Sequence, residues 1–149
     1  MKTIKAIVSL LVFAIPALAW NGDITVQTPN TQMLLHAWEG SDLRMAYYGD
    51  RTATLQQLRD AGDDLNFSAM PAFGTVDAIE APALQVQHAD GDQNLELKVD
   101  NVETRSEGNA TVTVITMSDK LQPVTVRVFY KAYQTVDIIE TWTEISHQE

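Results

Sequence analysis

From residue 23 onward, apolar and polar positions trade places with a period of two in a series of short runs, the mark of half-buried β-strands. Asp23–Gln27 and Gln32–Trp38 flank Thr28-Pro29-Asn30, a strong turn signal. Leu43, Met45 and Tyr47 alternate with Arg44 and Ala46 until Gly49-Asp50 breaks the run. Leu84, Val86 and His88 precede Asp90-Gly91, and Leu95, Leu97 and Val99 follow it, which predicts a hairpin about that dipeptide. Gly108-Asn109 predicts another turn, between Val102–Arg105 and Thr111–Met117. The cleanest alternation follows Pro123, at Val124, Val126, Val128 and Tyr130. Val136 to Ile145 is apolar on both sides: Val136, Ile138 and Trp142 fall on one face, Ile139 and Ile145 on the other.

One segment breaks this pattern. Across Ala53–Ala61, Leu55 and Leu58 share a side, Gln56, Gln57 and Arg59 surround them, and Gly62 is placed to cap a helix. This predicts one or two helical turns inside a long excursion from Gly49 to Pro82. An excursion of that length in a compact β-domain usually carries function or an interface. Closely spaced hairpins predict an all-β, antiparallel sandwich rather than the alternating strands and helices of a parallel sheet.

The N-terminus reads as an address. Lys2 and Lys5 precede an apolar run from Ile7 to Leu18, and Ala17-Leu18-Ala19 forms a small-x-small cleavage site before Trp20. Residues 1–19 are thus expected to be a signal peptide, with cleavage after Ala19 and a secreted or periplasmic mature chain. The run falls short of the roughly 20 residues a membrane span needs. Removing residues 1–19, which hold two lysines and no acid, takes the net charge from −10 to −12. That acidity argues against nucleic acid and anionic membrane as partners, since phosphate binding needs a basic face. The chain has no cysteine, so disulfides and thiolate metal sites are excluded, and burial alone must hold the fold together.

Candidate chemistry is thin. Paired carboxylates cut glycosidic bonds, but Asp63-Asp64 reads most simply as a solvated acidic loop tip. Glu140 and Glu144 share a strand face with Trp142, a pattern that can line a sugar groove, although a solvated or interface face beside a half-buried Trp is the plainer reading. His36, His88 and His147 are far apart and lack metal-ligand spacing, so no metal site is read from them. Ser41, Ser68, Ser106, Ser118 and Ser146 sit in no Gly-x-Ser-x-Gly elbow, and no glycine loop is built to hold phosphate. Asn66-Phe-Ser68 and Asn109-Ala-Thr111 match the glycosylation sequon, a frequent chance match. The aromatic residues can stack on sugars, but core filling is their default role in a sandwich. Catalytic residues: none. Binding residues: unknown.

Several longer runs carry a resemblance. They are Asp23 through Leu35, Tyr47-Tyr-Gly49, Met70-Pro-Ala-Phe-Gly74, Ala83 through Gly91, and Phe129-Tyr-Lys-Ala-Tyr-Gln-Thr-Val-Asp-Ile-Ile-Glu-Thr-Trp-Thr-Glu-Ile-Ser-His147. Taken in order, they resemble the N-terminal domain of family 36 glycoside hydrolases, the bacterial α-galactosidases, in a secreted, Bacteroidetes-like form. The resemblance covers essentially the whole mature chain. It implies a galactose-mutarotase-like β-supersandwich ahead of a (β/α)8 barrel, with residues 20–149 as its incomplete N-terminal part. It further implies a retaining hydrolase whose two catalytic aspartates lie on the barrel, no cofactor, and frequent homo-oligomers. In some relatives the excursion of one subunit reaches a neighbour's active site, which here corresponds to 49–74 with Arg59, Asp63 and Asp64.

The expectation is therefore an inactive N-terminal piece of an enzyme that removes terminal α-galactose, meeting its galactoside substrate through a barrel this chain lacks. An α-N-acetylgalactosaminidase of the same family is one alternative; a free-standing secreted carbohydrate-binding module is another. The strand-like text from Val124 to Glu149 stops on a polar tail without a closing strand. An open β-edge is sticky, so partner strands are expected beyond residue 149. The fragment alone is expected to be marginally stable, with unpaired edges or an unpacked face at Val124–Tyr130 and Val136–Ile145.

Overall fold

The structure is a computed structural model that describes residues 22–60, 67–69 and 82–148. The signal-like leader, Asp63-Asp64, Asn66 and the Met70–Gly74 run lie outside these residues. Alternation becomes two antiparallel meanders. The first sheet holds β1 (Asp23–Gln27), β2 (Thr31–His36), β3 (Arg44–Asp50) and β4 (Phe67–Ser68), in that spatial order. The second holds β5 (Leu97–Glu107), β6 (Ala110–Asp119), β7 (Val124–Tyr133) and β8 (Ile139–His147), again in chain order. Thr28-Pro29-Asn30 makes the β1–β2 turn as predicted, closed by the Thr28 N–H donating to the Thr31 carbonyl at 2.9 Å. Gly108 takes φ +61° in the two-residue β5–β6 turn, a left-handed conformation that glycine adopts without strain.

Two expectations are corrected, each for a physical reason. The runs around Leu97–Val99 and Val102–Arg105 are not separate strands but one eleven-residue strand, β5. The register steps from Val99 opposite Met117 to Asn101 opposite Thr116, leaving Asp100 as a bulge. A bulge moves the inward face by one position, so odd-numbered Leu97 and Val99 and even-numbered Val102 all meet the same core. The hairpin expected about Asp90-Gly91 forms its turn alone. His88 N–H donates to the Asp92 carbonyl at 2.8 Å, and Gly91 sits at φ +88°. Leu84 and Val86 pack on the core, with a single bridge at Leu84 in place of a strand ladder, so their alternation reports burial more than pairing.

The core lies between the sheets. Ile24, Val26 and Leu35 of the first sheet meet Ile115, Met117, Val126 and Val128 of the second. β7 is fully paired, by β6 on one side and β8 on the other, and its inward residues are buried. The expectation of an unpaired edge or unpacked face at Val124–Tyr130 is thereby overturned. β6 and β7 also bury a second, smaller cluster on the outer face of their sheet, made of Val112, Val114 and Phe129. This explains the near-continuous apolar text of Val112–Met117. The helix α1 (Leu55–Asp60) forms the expected one or two turns and starts at a reciprocal cap, while Ala61 and Gly62 lie outside the described residues. Thr54 Oγ1 accepts from Gln57 N–H, and Gln57 Oε1 accepts from Thr54 N–H.

The β2–β3 connection clips onto the edge of β5. Gly40 N–H donates to the Val99 carbonyl, and Val99 N–H to the Ser41 carbonyl, at 2.7 and 2.8 Å. Beside them Lys98 Nζ lies 2.9 Å from Asp42 and 2.8 Å from Glu96. Burial alone would raise the Asp42 pKa; the Lys98 and Arg44 side chains outweigh it and hold the carboxyl below its ordinary range.

Candidate functional site

Among the described residues no group of three His, Asp or Glu side chains converges to hold a metal ion. His36 Nδ1 lies 2.8 Å from Asp23, and its ring stacks on Trp38 with centroids 5.1 Å apart. His88 is buried behind its turn, with Nε2 3.2 Å from the Asn94 carbonyl. His147 is exposed at the end of β8. The structure therefore keeps the three histidines in unrelated places. Asp63, Asp64 and the Arg59 side chain lie outside the described residues.

The Glu140, Trp142 and Glu144 pattern does define a surface. Strand pairing sets Lys131 opposite Glu140, Phe129 opposite Trp142 and Arg127 opposite Glu144, all on the outer face of the second sheet. The Phe129 and Trp142 rings stack with centroids 4.7 Å apart and 9° between planes, and the Arg127 guanidinium lies 4.9 Å from the Phe129 centroid. Arg127 also pairs with Glu144 at 3.0 Å, and the Tyr133 hydroxyl donates to Glu140 at 3.1 Å. Lys131 pairs with Glu107 at 2.8 Å; that hydrogen bond, more than charge, keeps the Glu107 carboxyl below its ordinary pKa.

Glu140 and Glu144 do not work as a hydrolytic pair. Four strand residues separate their backbones by about 13 Å, whereas glycosidase carboxylates stand roughly 5–9.5 Å apart. Each is also already engaged by a β7 side chain. The face is lined by aromatic and ionic side chains, and Trp142 is 36% exposed on it.

A second arrangement, which sequence reasoning missed, fixes the root of the excursion. Tyr47 folds its ring over Gly49, where an added Cβ would meet the phenolic oxygen at 2.6 Å, and its hydroxyl donates to the Asp50 carbonyl at 3.0 Å. The Tyr-Tyr-Gly run is thus a packing unit with Tyr48 left 60% exposed. Arg51 Nη1 then donates to the Thr28 and Pro29 carbonyls. From the other sheet Asp137, in the β7–β8 turn, accepts from Thr28 Oγ1 at 2.8 Å, Asn30 N–H at 2.7 Å and Asn30 Nδ2 at 2.8 Å. These bonds, led by the Asn30 side chain, hold the Asp137 carboxyl below its ordinary pKa. The base of the excursion is therefore tied to both sheets through one turn. A Thr-Pro-Asn turn and a distant aspartate give no local sign of meeting, since 107 residues separate Asn30 from Asp137.

Comparison with known proteins locates this architecture. The sequence profile described as the glycosyl hydrolase family 36 N-terminal domain matches residues 32–149. The chain belongs to that family. Its fold matches solved family 36 α-galactosidases. AgaA from Geobacillus stearothermophilus superposes with a TM-score of 0.70 at 18% identity, covering 84% of this chain and 22% of that one. AgaB from the same organism gives 0.68 at 20% identity, covering 91% and 22%. The galactosidase domain of AgaSK, an α-galactosidase–sucrose kinase, gives 0.69 at 20% identity, covering 83% and 22%. This glycosyl hydrolase family 36 N-terminal domain thus spans about a fifth of the chains it resembles. No curated protein sequence matches it.

Proposed function

We propose that this chain serves as the non-catalytic N-terminal β-domain of an α-galactosidase, an enzyme that releases terminal α-linked galactose. The observation that carries the proposal is the family match over residues 32–149 joined to a β-sandwich fold shared with AgaA and AgaB. A further part of the reading is that the full-length enzyme is a homo-oligomer and that the root of the excursion, tied by Arg51 and by Asp137 with Thr28 and Asn30, lies near its interface. Discrimination between galactose and N-acetylgalactosamine belongs to a barrel pocket and not to this domain.

A chimera tests the role. Replacing the matching stretch of AgaA with this chain is expected to leave hydrolysis of an aryl α-galactoside detectable, while the 149-residue chain alone shows none. Turnover by the isolated chain, or a folded chimera without activity, would overturn the assignment. Specific retention of the isolated chain on a glycan array would favour the free-standing binding module instead.

We further propose that the chain is exported and processed after Ala19, on the strength of the Lys2/Lys5 start, the apolar run and the Ala17-Leu18-Ala19 site. N-terminal sequencing of periplasmic or culture-medium protein is expected to begin at Trp20; an intact Met1 in that fraction would refute it.

A further inference from the structure

The two ends of the sandwich are held in different ways. At one end the Gly40–Ser41 clip bonds backbone to backbone with Val99, and Ala37, Leu43 and Leu95 of the flanking segments are buried. At the other end three turns meet: Thr28–Asn30 between β1 and β2, Gly108-Asn109 between β5 and β6, and Gln134–Ile138 between β7 and β8. Gln134 N–H donates to the Asn109 carbonyl at 2.8 Å, which joins the two turns of the second sheet. Asp137 carries three bonds across to the β1–β2 turn, whereas the bond from Gln134 Nε2 to the Gln27 carbonyl is long, at 3.5 Å. Asn30, Gln134 and Asp137 are all exposed. Solvent-exposed bonds over little buried apolar surface mark the parts of a fold that open first.

The root of the excursion rests on the same turn. Arg51 N–H donates to the Asn30 carbonyl at 3.1 Å, and Arg51 Nη1 to the Thr28 and Pro29 carbonyls at 3.3 and 3.2 Å. The Thr28–Asn30 turn therefore offers its donors to Asp137 and its carbonyls to Arg51, so a shift of the turn is felt by both. Bonds to an ionised carboxylate are stronger than bonds to a neutral one. The Asp137 bonds, the Asn30 side chain first, favour the ionised form and hold the carboxyl below its ordinary value of 3.8. The charged or titratable groups on the surrounding elements are Arg51 and Asp50 at the excursion root, and two mutual pairs, Glu107 with Lys131 and Tyr133 with Glu140. A lowered carboxyl stabilises the closed arrangement fully above its unfolded value. That contribution is lost as pH falls below 3.8 and through the lowered one.

We propose that the three-turn end of the sandwich opens as a unit of its own, latched by the Asp137 carboxylate. Neutralising Asp137 parts the β7–β8 turn from the β1–β2 turn and loosens the Arg51 root of the excursion, while the Gly40–Ser41 clip stays closed. Acid then acts on one end of the domain before it acts on the whole. The latch goes beyond the domain role proposed above and does not depend on it.

Native-state amide exchange of the 149-residue chain, read residue by residue and corrected for intrinsic rates, tests the latch. At neutral pH, Asp137→Asn is expected to speed exchange of the Asn30 and Arg51 amides by about tenfold, and to leave Gly40 and Val99 within about twofold of wild type. In the wild type, the same selective rise at Asn30 and Arg51 is expected as pH falls below 3.8, and Asp137→Asn is expected to lack that pH step. Asn30→Ala keeps the carboxyl but removes its leading donor, so the step at Arg51 is expected to move to higher pH. This second variant and the wild-type pH series keep the test decisive if Asp137→Asn fails to fold. Three outcomes overturn the proposal: equal acceleration at the clip and at the turns, no acceleration at Asn30 and Arg51, or a pH step that Asn30→Ala leaves in place.

Discussion

Tyr130 shows how one buried side chain sets a solution property. It projects from β7 into the core, 6% exposed, and burial pushes its phenol up to about 12 from the usual 10. A group raised in this way favours the folded state while it stays neutral. Its contribution is intact below pH 10, where the unfolded phenol is neutral too, and is lost progressively toward pH 12. The two-unit gap corresponds to about 2–3 kcal/mol. Urea melts of the wild type are expected to lose about that much stability between pH 10 and 12 through this residue. Tyr130→Phe is expected to remove the loss, since no proton remains to leave; an unchanged alkaline limb in the variant would contradict it. At the same scale, Asp119 arranges the β6–β7 turn. Its Oδ1 accepts the Leu121 and Gln122 N–H groups at 2.7 and 3.0 Å, and Oδ2 accepts Glu96 N–H at 2.6 Å. This rigid turn holds Leu121 outward, 91% exposed.

Elements differ sharply in how much burial they supply. Ile115 on β6 is fully buried in the shared core, while Ile145 on β8 is half exposed on the same face of the same sheet. Ile115→Ala is therefore expected to cost about 2–5 kcal/mol, the range for a large core side chain replaced by Ala. Ile145→Ala is expected to cost less than about 1 kcal/mol. Urea denaturation of both variants decides the matter, and equal losses would show that β8 is packed more tightly than its exposure indicates. Strand existence was legible in the alternation because a half-buried strand must present one face to the core. Strand count was not. The bulges at Ala46 and Asp100 shift the inward face by one residue, and on β5 this breaks one strand's pattern into two apparent ones. The Thr54-x-x-Gln57 cap was readable in principle and marks the true start of α1.

At the largest scale, the described residues form two meanders locked at separated points. The Gly40–Ser41 clip with Asp42 and Lys98 joins the sheets at the β5 edge; Asp137 with Thr28 and Asn30 joins them where the excursion begins. Both locks connect residues far apart in the chain, and no local pattern announces either. The sequence by itself determined the β class, most turn positions and the family, because alternation, turn chemistry and long specific runs are local properties. It also placed Glu140, Trp142 and Glu144 on one face, since a strand's period of two leaves no other choice. Only the tertiary structure decided that those carboxylates are engaged and too far apart for hydrolysis, and that Phe129 stacks on Trp142. Those facts depend on which strand lies beside which, and pairing is settled by the packing of the whole sandwich.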